Sequence, residues 1–527
     1  MATPHEKLAD ALDALKGLQS QGRRVFRSAE LGRLHRERLL QNGFLRELIK
    51  GWLISTGPHV EEGDTTPWYA SFWEFCALYC RERFGTEWHF SPEQSLLFHA
   101  EATAMPPQVI IYSTRGTNNN LQLLFGTSLY DLKQKEMPPA EDLVERNELR
   151  LFAPDAALVR VSEAFFQRSP IEAQVVLAAF RNVSGILARL LDGGHSVIAG
   201  RLAGAFRRIG RTSFADEITK TMKGAGYDVR EADPFPTQAQ MPNIVTGVAP
   251  IVGRLQAIWE NLRQPVIDTF PAAPGLPVDK EAYLKFVGEI YQSDAYHSLS
   301  IEGYSVTPEL INRVRQGNWN PADNEDDRKN RDALAARGYW QAFQRVRESI
   351  AAIIDGASPG ALVRDQHGDW YREMFQPSVA AGILRAGTLA GYRNQPVYLR
   401  GSRHVPPRAE SAFEGMSALF DLLEKESEPS VRAVLGHWLV GYIHPYPDGN
   451  GRIARFLMNA MLASGGYPWT VVRVEDRNRY MSALESASVD MDIRPFAAFL
   501  AERLHWSEGK VRMTDWDGER APVINRD

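Results

Sequence analysis

The sequence has only two cysteines in 527 residues, Cys76 and Cys80, four positions apart in a run with helical pattern. Two cysteines on one helical face, without histidines in ligand spacing, indicate core packing rather than a disulfide or a metal site. Such sparse use of cysteine is typical of proteins in a reducing compartment. We therefore expect a cytoplasmic location.

The sequence also lacks an apolar run of membrane-spanning length, and its first residues lack the apolar core of a signal peptide. Acidic residues outnumber basic ones, 65 to 60, so no overall positive charge points to nucleic acid or to a membrane surface. An apolar content of 44% is ordinary for a globular protein, and the length suffices for two or more domains. We expect no association with membranes.

One stretch combines several chemically useful side chains, and it reads His444-Pro445-Tyr446-Pro447-Asp448-Gly449-Asn450-Gly451-Arg452-Ile453-Ala454-Arg455. It follows a run of helical periodicity that two prolines end, and its glycines predict a tight turn before a second apolar-periodic segment. Such a turn points backbone N–H groups into one concavity at a helix N-terminus, where the macrodipole also favours anions. The stretch predicts an anion-binding turn between two helices.

The side chains of this stretch suit the transfer of a phosphoryl or nucleotidyl group. Arg452 and Arg455 stand one helical turn apart and offer charge-assisted donors to phosphate oxygens. Asp448 is a hard oxygen ligand of the kind that Mg²⁺ accepts beside phosphates, and His444 can take a proton near neutral pH. A base, a metal ligand, an anion cradle and two arginines are the parts of such a site.

The same stretch resembles the motif of the Fic family, H-P-F-x-D/E-G-N-G-R-x-x-R, with Tyr446 in place of the usual phenylalanine. The resemblance implies an all-helical domain that transfers AMP from ATP to a hydroxyl side chain of a target protein. It implies that His444 takes the proton from that hydroxyl and that Asp448 holds Mg²⁺. Phosphate oxygens would be bound, through backbone and side-chain donors, by Gly449, Asn450 and Gly451, with Arg452 at the β-phosphate and Arg455 at the γ-phosphate.

A second match to the family lies upstream, in the segment Ser298-Leu299-Ser300-Ile301-Glu302-Gly303. It fits the inhibitory pattern Ser/Thr-x-x-x-Glu-Gly/Asn, in which Ser298, Glu302 and Gly303 are the fixed positions. A carboxylate aimed at Arg455 would form a bidentate pair and remove the donor that the γ-phosphate needs. The resemblance therefore implies that Glu302 keeps the enzyme inactive.

Residues 391–401, between the two motifs, break the helical pattern. The run Val397-Tyr398-Leu399, bounded by glycines, predicts a short hairpin. In Fic proteins a flap at this place docks a segment of the target by strand addition, which needs main-chain hydrogen bonds rather than particular side chains. We expect Val397, Tyr398 and Leu399 to form such a target-docking flap.

The segment from Arg23 to Lys50 is locally basic, with eight arginines and lysines against three glutamates. A helix after Ser28 and a hairpin within residues 44–54 predict a winged-helix-like region over residues 1–60. Its basic helix could enter a DNA groove, so DNA is a partner that residues 23–54 could bind. A helical hairpin whose arginines only face solvent is an equal alternative.

The order of elements predicts five regions. Residues 61–232 form an α+β and helical regulatory region, which together with the winged-helix-like start resembles the antitoxin-type regulators called AbiEi-like. A proline-rich linker with one helix (233–279), the Fic domain (280–506) and a polar tail (507–527) follow. The predicted fold is mainly α, with an all-helical Fic domain after an α+β N-terminal region.

These features together predict a protein adenylyltransferase that uses ATP and Mg²⁺ and is inhibited by its own Glu302. A de-AMPylase is one alternative, because Glu302 could orient a water that hydrolyses AMP from a modified protein. A DNA-binding regulator whose Fic domain senses nucleotide is another. Because members of the Fic family are often dimers, a homodimer is a further expectation.

Overall fold

A computed structural model of the protein describes residues 3–61, 63–237, 249–317 and 331–514. Contacts divide the chain into an N-terminal unit, Met1–Arg254 with Tyr398–Val405, and a C-terminal unit, Leu255–Val397 with Pro406–Asp527. Part of the predicted linker, residues 238–248, and most of the predicted tail, residues 515–527, lie outside the described residues. The five predicted region boundaries stay predictions.

The N-terminal unit mixes helices and short strands. In chain order these are α1 (Pro4–Leu18), β1 (Val25–Arg27), α2 (Arg33–Gln41), β2 (Leu45–Ile49), β3 (Trp52–Ser55), α3 (Thr66–Phe84), β4 (Trp88–Phe90), α4 (Pro92–His99), β5 (Gln108–Ser113), β6 (Asn119–Gln122), β7 (Ser128–Lys133), β8 (Leu143–Arg146), β9 (Leu149–Phe152), α5 (Pro154–Leu158), α6 (Glu163–Arg168), α7 (Pro170–Ala179), α8 (Ser184–Asp192), α9 (Ser196–Arg208) and α10 (Thr212–Gly224).

Three small sheets arise in this unit. The first has the order β1-β3-β2 with antiparallel pairing, and its β2–β3 ribbon is the hairpin expected within residues 44–54. The second has the order β4-β5-β7-β6, with β5 and β7 parallel, and the third pairs β8 with β9. Strands and helices thus both contribute, which confirms an α+β N-terminal region.

Helix α3 supplies the aromatic core under the first two sheets. Its residues Trp68, Phe72 and Phe75 are fully buried, and Cys76 and Cys80 lie among them as free thiols. Burial raises the pKa of both thiols, which keeps them protonated and unreactive. The two cysteines are therefore core residues, as their helical spacing predicted.

Helices α5 to α10 pack around a separate apolar core in the same unit. In the described part of the chain, no single helix is both long and apolar enough to cross a membrane. One pair of helices, α7 and α8, meets the criteria of length and composition only when taken together, and the two are bent by 108° at the break between them.

The C-terminal unit is helical, and its described residues contain no strand. Its helices are α11 (Pro250–Thr269, whose first residues belong to the N-terminal unit), α12 (Lys280–Ile301), α13 (Pro308–Arg315), α14 (Arg331–Ile354), α15 (Pro359–Ala380), α16 (Ala409–Lys425), α17 (Pro429–Ile443), α18 (Asn450–Ala463), α19 (Arg477–Val489) and α20 (Arg494–Thr514). The chain is therefore mainly α, as predicted.

Helices α17 and α18 form the centre of this unit. Nearly all their residues are buried, so neither has a polar face of the kind that a surface helix shows. They flank the motif loop, residues 444–449, on its two sides. The loop is thereby held between two elements that the surrounding core keeps rigid.

The hairpin predicted at Val397, Tyr398 and Leu399 is wrong, because none of the three residues is in a strand. Residues 398–405 belong to the N-terminal unit. There the backbone N–H of Val405 donates to the carbonyl of Thr103 (2.7 Å), and that of Met105 donates to the carbonyl of Arg403 (2.8 Å). The segment is therefore tied to residues far earlier in the chain rather than to a neighbouring strand, and its role in target docking stays a prediction.

Candidate active site

His444 ends helix α17 in the left-handed conformation, with φ 50° and ψ 58°, which non-glycine residues rarely adopt. Its Nδ1 lies 3.3 Å from the carbonyl oxygen of Gly441. If the proton sits on Nδ1 to make this bond, Nε2 is left as a free acceptor. Burial lowers the pKa of His444 to about 4, so that the imidazole is neutral at pH 7 and can take up a proton.

Arg393 holds this turn in place. It is buried, its backbone N–H donates to the carbonyl of Pro445 (2.8 Å), and its Nε donates to the carbonyl of His444 (2.7 Å). Its Nη2 also lies 3.4 Å from the carbonyl of Ile443. Sequence reasoning assigned no role to Arg393, since the only signal was an arginine among the glycines and polar residues of a predicted loop.

Gly449 and Asn450 shape the turn before helix α18. Gly449 has φ 82°, a conformation that favours glycine, and it caps the helix. The Asn450 side chain bridges the loop: its Oδ1 accepts the N–H of Tyr446 (2.9 Å) and its Nδ2 donates to the carbonyl of Tyr446 (2.8 Å). Nδ2 has a second hydrogen beside the one that it donates to Tyr446, so the expectation that this side chain donates to phosphate stays a prediction.

Arg452 is buried beneath the turn. Its guanidinium lies over two aromatic rings, with the centroids of Tyr304 and Phe375 at 5.3 and 5.1 Å. Its Nη2 is 3.2 Å from Oδ1 of Asp448, and among the described residues its Nε has no hydrogen-bond partner. The positive charge is thus held at this turn, close to the carboxylates of Asp448 and Glu302.

Asp448 is the residue of the motif that could hold a metal ion. Its side chain is 57% exposed, and Oδ1 accepts the N–H of Gly449 at 2.6 Å. Within the described residues, no group of three or more His, Cys, Asp or Glu side chains could hold a metal ion. Magnesium in nucleotide sites often has one or two carboxylates and takes its other ligands from phosphates and water, so a single exposed Asp448 fits it.

Glu302 reaches Arg455, with its Oε1 2.7 Å from Nη2 of the arginine. The pair is a single hydrogen bond rather than the predicted bidentate one, because Nε of Arg455 donates to Oγ of Ser298 instead (2.8 Å). Burial raises the pKa of Glu302, but the charges of Arg455 and Arg452 outweigh it, and the net pKa lies below the usual range. The carboxylate is therefore ionised.

The carboxylate of Glu302 lies directly over the first turn of helix α18. A Cβ atom at Gly451 would be only 2.4 Å from Oε1 of Glu302. Gly303, with φ 83°, ends the preceding helix immediately after the glutamate. Glu302 thus places an anionic group at the helix N-terminus where the sequence predicts phosphate.

Tyr446 packs face to face with Tyr371, with the ring centroids 4.0 Å apart, and it is 1% exposed. Its hydroxyl has no hydrogen-bond partner among the residues that the structure describes, whereas that of Tyr371 donates to the carbonyl of Thr388 at 3.1 Å. An unpartnered buried hydroxyl is unfavourable by about 1 kcal/mol or more.

We expect the Tyr446→Phe variant to be at least as stable as the wild type, because the substitution removes an unsatisfied group and keeps the ring. Tyr371→Phe is the matched control, and it should be less stable because it breaks a hydrogen bond. Urea unfolding of the three proteins measures the difference. A lower free energy of unfolding for Tyr446→Phe than for the wild type would contradict this account.

Three arginines of the segment predicted to bind DNA form ion pairs within the protein. Ion pairs join Arg23 to Glu30 (2.9 Å), Arg27 to Glu82 (3.2 Å) and Arg33 to Glu37 (2.8 Å), the last of them within helix α2. These pairs reduce the local positive charge that favours phosphate backbones. DNA binding by residues 23–54 stays a prediction.

Solved structures of Fic proteins align with large parts of the chain. Fic-1 from C. elegans matches 67% of this chain over all of the solved fragment, with 18% sequence identity and a TM-score of 0.37. A Fic domain containing signaling protein from Bacteroides thetaiotaomicron matches 50% of this chain over its full length, with 20% identity and a TM-score of 0.35.

Comparison by sequence is more specific. Residues 362–462 match the model of the Fic/DOC family. A protein adenylyltransferase Fic from Nematostella vectensis is 45% identical over 230 residues, which are 43% of this chain and 50% of the relative. One from Drosophila yakuba is 36% identical over 218 residues, 41% of this chain and 40% of the relative. The chain thus spans half or less of the length of these relatives. Its C-terminal part carries a Fic domain.

Proposed function

We propose that this protein is a protein adenylyltransferase, which transfers AMP from ATP to a hydroxyl side chain of a target protein. The main support is that a neutral histidine, a backbone anion cradle and two buried arginines share one turn, with an internal carboxylate over it. The relatives that carry the name protein adenylyltransferase point to the same chemistry.

His444 would act as the general base. Its Nε2 accepts the proton of the target hydroxyl while the hydroxyl oxygen attacks the α-phosphorus and pyrophosphate leaves. The neutral state of the imidazole, which follows from its lowered pKa of about 4, is the state that this step requires. Arg393 supports the step by fixing the backbone carbonyl of His444.

The turn and the arginines would stabilise the charge of the phosphates. Backbone N–H groups at the N-terminus of helix α18, those of Asn450 and Gly451, would donate to phosphate oxygens, and Arg452 and Arg455 would supply positive charge. Magnesium, held by Asp448 and the nucleotide, would neutralise further negative charge on the phosphates. Because the cation would depend on phosphate ligands, we expect it to bind together with ATP.

Glu302 would inhibit this reaction by occupying Arg455. The side chain of Arg455 is 3% exposed, so a γ-phosphate can bind it only where the carboxylate now lies. Two anions cannot share one buried donor without strong repulsion. ATP would then bind with its phosphates displaced, and the α-phosphorus would be poorly placed for attack.

Incubation with ATP labelled at either the α- or the γ-phosphorus, in the presence of Mg²⁺ and cell extract, tests the proposed reaction. We expect the α-label to remain on protein and the γ-label to leave as pyrophosphate, most clearly with the Glu302→Gly variant. Transfer of the γ-label would instead identify a kinase. If neither label is transferred by either form, adenylyl transfer is not the activity of this chain.

Removal of AMP is the second candidate, supported by the ionised state of Glu302 close to a neutral His444. A carboxylate in this place could orient a water molecule for attack on an AMP-modified side chain. The two directions are separated by a target protein that has been AMPylated beforehand. Release of AMP by the wild type but not by Glu302→Gly would favour hydrolysis as the resting activity.

A role as a DNA-binding regulator rests on the helix and hairpin of residues 33–55, and a homodimer rests on the family resemblance. Selective DNA binding that survives His444→Ala and changes with ATP would support the regulator.

Light scattering at two protein concentrations would reveal the oligomeric state. Fractionation of cells that express the whole protein would test whether it is located in the cytoplasm, as expected.

A further inference from the structure

Arg455 is held from more than one side. Nε donates to Oγ of Ser298 (2.8 Å), and Nη2 reaches both the carbonyl of Ser298 (3.2 Å) and the carboxylate of Glu302 (2.7 Å). The hydroxyl of Tyr480, which is hydrogen-bonded to Nε2 of His437 (2.7 Å), also interacts electrostatically with the arginine. When Glu302 moves away, the contacts with Ser298 and Tyr480 remain to fix the guanidinium.

Ser298 in turn stands in a row of polar side chains, Ser298, Tyr339 and Asp294, that ends at a buried carboxylate and is called the polar row below. The Ser298 hydroxyl accepts from Nε of Arg455 (2.8 Å) and interacts with the hydroxyl of Tyr339, which donates to Oδ2 of Asp294 at 2.6 Å. The donor directions of these two measured hydrogen bonds are fixed, because a guanidinium only donates and a carboxylate only accepts. Asp294 and Ser298 stand one turn apart on helix α12, and Tyr339 comes from helix α14.

Asp294 is an unusual residue to find in this position. It is 3% exposed, and burial raises its pKa to about 6, although Tyr339, Trp469 and the charge of Arg455 each favour the ionised form. A carboxylate in such surroundings is unfavourable unless its hydrogen bonds are made. Asp294 lies outside both motifs, and no role in the chemistry has been assigned to it so far.

We propose that Asp294 is a positioning residue that, through Tyr339 and Ser298, fixes the guanidinium of Arg455 for the γ-phosphate of ATP. This inference rests on the proposed function, in which Arg455 binds that phosphate. The polar row orients Ser298 so that a lone pair of its hydroxyl faces Nε of Arg455, and Nη2 of Arg455 is thereby left facing the side where the nucleotide would bind. Without the polar row, the guanidinium loses the orientation that distinguishes a triphosphate from a diphosphate.

Two tyrosines provide a matched pair of variants. Tyr339 and Tyr291 are both fully buried in the C-terminal unit. The hydroxyl of Tyr339 donates to Asp294, whereas that of Tyr291 has no hydrogen-bond partner in the part of the protein that the structure describes. Each is replaced with phenylalanine in the Glu302→Gly protein, so that the inhibitory carboxylate does not compete. Ser298→Ala serves as a further variant, which removes the hydroxyl at the other end of the polar row.

The readout is the ratio of ATP affinity to ADP affinity, measured by titration calorimetry. We expect Tyr339→Phe and Ser298→Ala to weaken ATP about tenfold and to leave ADP within about twofold, since a hydrogen bond to a charged group has roughly this effect. KM for ATP should rise in parallel while kcat changes little. Tyr291→Phe should leave the ratio and both kinetic constants unchanged, whereas a merely structural effect would lower both affinities together.

The possible outcomes separate the inference from the proposed function. If Glu302→Gly transfers AMP but Tyr339→Phe and Ser298→Ala keep the ATP to ADP ratio of their parent, the positioning role of Asp294 is overturned and the function stands. If the parent neither binds ATP nor transfers AMP, the function fails and the inference fails with it. Asp294→Asn, which keeps the shape but removes the charge, should lower the ratio in the same direction.

Discussion

Glu302→Gly is expected to transfer AMP at least tenfold faster than the wild type at limiting ATP. The substitution removes the carboxylate 2.7 Å from Nη2 of Arg455 and leaves a buried positive charge that a γ-phosphate can neutralise. A hydrogen bond between charged groups contributes about 1.5–3 kcal/mol, which corresponds to roughly one to two orders of magnitude in occupancy. The initial rate of incorporation of α-label into protein measures the effect.

Two further variants show whether the charge of Glu302 is responsible. Glu302→Gln keeps the size of the side chain but loses the charge, so its rate should lie between those of the wild type and Glu302→Gly. Glu289→Gly lies on the same helix, with a side chain that is 49% exposed and beside Lys285, and it should behave like the wild type. Equal rates for the wild type and Glu302→Gly would rule out inhibition by this residue.

His444→Ala, made in the Glu302→Gly protein, is expected to lower kcat about a thousandfold. General base catalysis contributes roughly 10²–10⁴-fold, and the described loop places the acceptor nitrogen of His444 at the end of a rigid helix. ATP affinity should stay within about twofold, because the imidazole makes no phosphate contact in the proposed mechanism. Transfer that persists in this variant would assign the base to another group.

The pH profile gives an independent test of the same residue. With a pKa of about 4, His444 stays neutral as the pH falls from 8 to 6, so the rate of Glu302→Gly should stay level over this range. A histidine with the ordinary pKa of about 6.5 would be roughly three-quarters protonated at pH 6, and the rate would fall in proportion. Such a fall would contradict a buried, neutral base.

Features of the site could be predicted where the residues that form them are close together in the sequence. Residues 444–455 are adjacent, so their spacing alone placed a histidine, a turn and two arginines at one helix junction, where the structure has them. The contact of Glu302 with Arg455 joins the end of one helix to another helix far along the chain, and its prediction came only from the family resemblance. Helical periodicity shows which residues share a face but not which other helix that face meets.

The features that could not be predicted depend on such partners. Arg393 and Tyr339 act by donating to a carbonyl and to a carboxylate in other parts of the fold. The spacing of residues in the sequence does not show which of them will form such contacts. The run at Val397 to Leu399 had the residue types of a strand, but β-propensity reflects the surroundings of a segment as much as its residues. Its neighbours turned out to bond the backbone of residues 103–105 instead.

Ser298 lies in the last turn of helix α12 and Glu302 directly follows that helix, and both contact Arg455. In the proposed inhibition, a withdrawal of the whole helix would remove the carboxylate and the support of Arg455 in one movement, and the freed guanidinium would be misplaced. We therefore expect activation to turn the Glu302 side chain to another rotamer while the helix stays docked. An activating signal would then need to act only on the few torsion angles of Glu302 and not on the packing of the domain.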